Sequence, residues 1–198
     1  MIISNTVNSF IHNHQLTKSS FELYYTRYFN EFSNAGKYVD NLVSALPYTI
    51  PKIENDIRNI SHVNDQLVHI IFDIRLLFLK QYKVYLQPNI YFLIGDYQDF
   101  GTIPTKSSTT LFLFIEKLSE RVDDLYAMVA YYFTKLYIHQ TEYIQHFFNE
   151  QTQIKYPNML LEEIATLGIM RQLDINYPFM SDSNYNKIQK LEQELHYI

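Results

Sequence analysis

Cysteine and tryptophan are absent from this 198-residue sequence, and glycine and proline are scarce at 4 and 6 residues. Without cysteine the sequence offers no disulfide, no thiolate metal site and no cysteine for a lipid anchor. So little glycine and proline argues against a β-sandwich or barrel, whose many tight turns need them. Basic charge is also short: 16 Lys and Arg stand against 21 Asp and Glu, a formal net charge of -5. No basic patch supports nucleic-acid binding or polybasic recruitment to a membrane. Long apolar runs are missing too. The most apolar central stretch, Val68 to Leu79, is interrupted by His69, Asp73 and Arg75. It is too short and too charged to span a bilayer. Residues 1–10 lack a basic region followed by an apolar stretch, so no signal peptide is read there. The expectation is a cytoplasmic protein with no membrane insertion and no nucleic-acid partner.

What the sequence does hold is aromatic and apolar. Phe and Tyr make up 16% of the chain, and the apolar fraction of 47% can fill a core of ordinary size. Length predicts one domain over residues 1–198. Residues 1–18 are polar and weakly periodic and read as a loose arm. Ser19 or Ser20 can cap a helix whose aromatics, from Phe21 to Phe32, recur at three and four. A short helix through Val39 and Leu46 is expected to end at Pro47, and Pro51 to open another. From His62 to Leu86 the apolar spacing predicts a strong amphipathic helix. Residues 89–95 and 109–115 are β-branched and aromatic, of strand length, and 95–108 would join them through a turn that Gly95 and Gly101 favour. Two long helices follow over 121–149 and 158–173. Pro178 breaks the chain, and a last charged helix is read from Asn184 to His196. The fold class is therefore mainly α (α+β), a helical domain with a small central β-sheet.

Three segments carry a family resemblance. The first is Pro88-Asn-Ile-Tyr-Phe-Leu-Ile-Gly-Asp-Tyr-Gln-Asp-Phe-Gly-Thr102. The second is Asp124-Leu-Tyr-Ala-Met-Val-Ala-Tyr-Tyr-Phe-Thr-Lys-Leu-Tyr-Ile-His-Gln140. The third begins Leu160-Leu-Glu-Glu and runs to Leu173. Together they resemble the zinc-dependent, gluzincin-like peptidases related to a bacterial gliding-motility lipoprotein. The resemblance covers residues 85–173, a peptidase-like core, and implies a zincin-like two-helix framework. In that family the first helix carries HExxH: two His one turn apart hold zinc, and the Glu polarises the bound water. Here the five places hold Tyr131, Tyr132, Phe133, Thr134 and Lys135. The third ligand is expected in an acidic-Gly pair on the next helix, where Leu167 precedes Gly168. Tyr131, Tyr132, Lys135 and Leu167 are thus the degenerate former-site positions. The resemblance implies zinc in relatives and no cofactor here.

Other constellations have plainer readings. His139, Glu142 and His146 fall on one face if a single helix runs through them. With Glu163 they form an alternative metal set, although the two His stand roughly 10 Å apart by helical rise. Glu162 and Glu163 point about 100° apart and, as first-turn residues, would oppose the helix dipole. Tyr131 and Lys135 could plug the former pocket or line it for an anion. No Gly-x-Ser-x-Gly and no phosphate-binding glycine loop occurs. The leading expectation is a catalytically inactive metallopeptidase-like protein with a binding or structural role, meeting a protein or peptide partner. The alternatives are a divergent active zinc hydrolase with non-standard ligands and an unrelated helical interaction module.

Overall fold

The computed structural model describes residues 1–13, 16–104, 109–143, 146, 153, 155–177, 186, 188, 190, 191 and 193. It is mainly helical, with a small mixed sheet of four strands. In chain order the elements begin with β1 (Ile2–Asn5), α1 (Val7–Asn13), α2 (Lys18–Arg27), α3 (Phe29–Asn34) and α4 (Val39–Tyr82). Then come β2 (Asn89–Leu93), β3 (Gly101–Thr102) and β4 (Thr110–Phe114), a 3₁₀ turn (Ile115–Lys117), α5 (Val122–Gln140) and α6 (Asn158–Gln172). Among the described residues no helix is long and apolar enough to cross a membrane. The last helix expected over 184–196 lies mostly outside the described residues.

The sheet order is β1-β2-β4-β3. The first three strands are parallel, with Ile3 beside Ile90 and Ile90 beside Leu111, and β3 closes the sheet antiparallel to β4. Leu111 to Phe114 are all buried, as a strand covered on both faces requires. The sheet is thus larger than the expected strand pair: β3 comes from the connection between them, and β1 from the residues read as a loose arm. That expectation is corrected. Residues 2–5 pair with β2, and Val7 and Phe10 are buried in the core. Asn5 caps α1 by accepting from the Val7 and Asn8 amides at 3.1 and 3.2 Å. Thr6 donates to the Phe92 carbonyl at 2.7 Å. A polar sequence hid the arm's role because its polar groups are spent on hydrogen bonds that only the folded neighbours supply.

Helix α4 corrects two more expectations. It runs unbroken through Pro47 and Pro51 for 44 residues, about 66 Å by helical rise. The buried positions Leu42, Leu46, Thr49, Ile53, Ile60, Val63, Leu67, Ile70, Ile74 and Phe78 keep one phase across both prolines. One continuous stripe against the core outweighs the hydrogen bonds that the prolines remove. The helix stops at Lys83, which takes a left-handed φ of 60°. The single aromatic helix expected from Ser19 to Phe32 is instead divided at Tyr28. Its cap is Thr17, in a reciprocal capping box with Ser20. Phe10, Phe21, Tyr24, Tyr25 and Phe32 then form one packed aromatic cluster.

Candidate functional site

Helices α5 and α6 pack against each other, and their facing side chains make a half-buried polar cluster. Tyr131, Lys135 and His139 recur every four residues, so they stand in a row on one face of α5. Glu162 and Glu163 answer them from α6. Lys135 Nζ lies 3.3 Å from Glu162 and 3.1 Å from Glu163. Tyr131 Oη donates to both oxygens of Glu163, at 3.0 and 2.9 Å. His139 Nε2 is 3.1 Å from Glu162 Oε2. The Tyr131 ring stacks on Tyr177 at 4.5 Å, and the Lys135 ammonium lies 4.9 Å from the centre of the same Tyr131 ring.

Burial and charge set the protonation of this cluster. Burial works to lower the Lys135 pKa, but Glu163 and Glu162 outweigh it, and the ammonium is held above its ordinary value. Burial works to raise Glu162, but the His139 hydrogen bond and the Lys135 charge hold it below the usual carboxylate range. The Tyr131 phenol is pushed far up by burial and by Glu163 beside it. Burial likewise raises Tyr177, to about 12. Near neutral pH, therefore, the cluster consists of protonated phenols, a charged ammonium and an ionised Glu162.

The structure brings together two of the positions that the resemblance singled out, and it separates the rest. Tyr131 and Lys135 both meet α6. Their partner is Glu163, not the residue at 167. Leu167 lies one turn further on, buried, and lines a cavity of about 220 Å³ with Met170 and Tyr177. The adjacent acids Glu162 and Glu163 were the sequence signal for this pairing across the helices. Tyr132 turns the other way and donates to the Gly101 carbonyl at 2.9 Å, while Phe133 and Thr134 are fully buried. The donor set does not fit zinc. Lys135 places an ammonium where an imidazole would be needed, and both Tyr131 and Tyr132 keep their phenol protons.

Four further expectations are corrected. Glu162 and Glu163 lie beyond the first turn of α6, so cross-helix pairing rather than the helix dipole accounts for them. His139, Glu142 and His146 do not share a helical face. Helix α5 ends at Gln140, and Glu142 takes a left-handed φ of 51°. Glu142 and His146 are exposed, and among the described residues no group of three His, Asp or Glu could hold a metal ion. An anion at Lys135 is also disfavoured, because two carboxylates already surround the ammonium. Gly95 and Gly101 are required by close packing, not by unusual angles. A Cβ on Gly101 would stand 2.6 Å from the Phe112 carbonyl oxygen, and one on Gly95 3.0 Å from the Phe114 ring. The left-handed residue of that loop is Tyr97, at φ 63°.

Compared with known proteins, the chain matches no family model, no curated protein and no solved structure.

Proposed function

We propose that this chain is a catalytically inactive, metallopeptidase-like protein that acts by binding or as a structural partner, in the cytoplasm. One observation supports the reading: Lys135, at the place of the second His in the resemblance, holds its ammonium against Glu162 and Glu163. A fixed cation with two fixed carboxylates fastens α5 to α6. With the cation already in place, no open coordination position is left between them. The role left to such a helix pair is to hold a shape that a protein or peptide partner reads.

The test is metal content. The tag-free protein is loaded with zinc, desalted and subjected to elemental analysis. A zinc-to-protein ratio near zero is expected. A ratio near one would overturn the proposal in favour of the divergent zinc hydrolase, and replacing His139, His146 and Glu163 in turn would then locate the ligands. The reading of an unrelated helical interaction module draws on a separate observation. Phe72, Leu76 and Leu79 stand exposed on one stripe of α4. Loss of partner capture on charging that stripe, with the α5–α6 pair untouched, would favour it.

A further inference from the structure

Away from the α5–α6 pair, one guanidinium is buried without a carboxylate to answer it. Arg75 stands on α4 and is 4% exposed. Its Nε donates to the Leu86 carbonyl at 2.8 Å. The rings of Tyr85 and Phe72 flank it, with centres 4.5 and 5.5 Å from the guanidinium carbon. Among the described residues no Asp or Glu forms an ion pair with it. The two Nη nitrogens make no hydrogen bond there, and neither is closed off from solvent. A guanidinium is always charged, and burying a charge is costly unless it is paired. Two Nη donors side by side are what a carboxylate takes up in a bidentate pair.

The surface beside this guanidinium is apolar. Phe72, Leu76 and Leu79 are 46%, 59% and 38% exposed, and Tyr85 is 51% exposed. Spacings of four and three align the first three along one stripe of α4, and Lys83 continues it. The stripe lies opposite the one that carries Leu67, Ile70, Ile74 and Phe78 into the core. Cations gather at its C-terminal end, where Lys80 and Lys83 are exposed. Acids stand further off. Asp65, on the same stripe, lies about 15 Å from Arg75 by helical rise. Asp73 is about 200° from Arg75 around the helix and lies near Tyr126 of α5. Apolar residues at these spacings make a ridge that an amphipathic helix packs against, and the unpaired guanidinium sets the charge of that helix. We propose that this stripe docks an amphipathic helix of a partner protein, with a carboxylate of that helix paired to Arg75 and its apolar residues on Phe72, Leu76 and Leu79.

Other occupants fit less well. Two copies of α4 meeting on this stripe would bring like charges together, the two Arg75 side chains if antiparallel and the two Asp65 side chains if parallel. An anionic membrane draws on a larger basic cluster than Arg75, Lys80 and Lys83 provide, and the chain as a whole carries a net charge of -5. The inference concerns α4 alone. It stands apart from the reading of α5 and α6, so its failure would leave the zinc measurement untouched.

The experiment is fluorescence anisotropy of the full chain with a labelled helical peptide of about 18 residues, carrying Leu along one face and Ala and Glu elsewhere. The control peptide has Gln for every Glu. We expect saturable binding of the Glu peptide, roughly tenfold or more tighter than that of the Gln peptide. Because the chain is itself acidic, that preference reports a local cation. Arg75→Gln should remove the preference, and urea unfolding shows that this variant still folds. Leu76→Glu alters an exposed position and should abolish binding of both peptides. No binding of the Glu peptide to wild type would overturn the proposal. So would equal affinity for the two peptides, an unchanged preference in folded Arg75→Gln, or binding that Leu76→Glu leaves intact. Binding of phosphatidylserine vesicles in place of the Glu peptide would overturn it in favour of a membrane.

Discussion

Replacing Lys135 with Met removes the ammonium but keeps most of the side-chain volume. Two adjacent carboxylates of α6 are then left facing α5, with only Tyr131 and His139 to support them. Removing one partner of a fully buried ion pair costs about 3–5 kcal/mol. Here the side chains of Lys135, Glu162 and Glu163 keep 19%, 23% and 20% of their exposure, so water screens part of the charge. We expect a loss of about 2 kcal/mol at pH 7, or a fall in Tm of about 4–8 °C for a chain of this size. The pH dependence follows from the two shifts. Glu162 is held below its ordinary 4.5. It therefore contributes stability that is present above that value and lost as pH falls through the lower folded value. Lys135 is held above 10.5, so its contribution is lost only in strong alkali. The deficit of the variant should accordingly be full at pH 7 and shrink below about pH 4.5. Urea unfolding across that range measures it. The triple variant Lys135→Met, Glu162→Gln, Glu163→Gln should recover most of the loss, since no unpaired charge remains. A single variant as stable as wild type at pH 7, or a deficit that does not change with acid, would refute the reasoning.

Glu116→Gln should behave in the opposite sense. A carboxyl that burial raises to about 7 from 4.5 gives stability that is full below about pH 4.5 and is lost as pH rises through 7, about 3 kcal/mol in all. Urea midpoints of the variant should stay flat where those of wild type fall, and parallel curves would contradict it. Phe10→Ala should cost about 3–5 kcal/mol, because Phe10 is core and not part of an arm; a change under about 1 kcal/mol in chemical denaturation would restore the loose-arm reading. Gly101→Ala forces a methyl against the Phe112 carbonyl oxygen and the Tyr132 ring, and a lowered urea midpoint worth about 1–3 kcal/mol is expected.

Much of the helical framework was legible in the residues themselves. The spacing from Val63 to Phe78 places a helix because periodicity reports one buried face wherever a single face is buried. Strands β2 and β4 were legible from their β-branched and aromatic runs, which suit a pleated surface covered on both sides. The row Tyr131, Lys135, His139 was fixed by four-residue spacing alone, since helical geometry needs no partner to align it.

What the local sequence could not decide is everything that depends on a distant neighbour. Residues 2–5 are a strand because β2 offers an open edge, and nothing within the first eighteen residues says so. Pro47 and Pro51 end helices by local rule, but the core holds both sides of α4 in one phase. Tyr131 and Lys135 pair with Glu163 rather than with a residue one turn on, because the packing of α5 against α6 sets which turn meets which. Glu116 reads as an ordinary surface acid in the sequence. Only the closing of the 95–101 loop and α4 over it makes it a buried carboxylate with a bare oxygen. Secondary structure and facing rows follow from short-range sterics and periodicity, whereas register, partner choice and burial are long-range quantities that exist only once the chain has closed on itself.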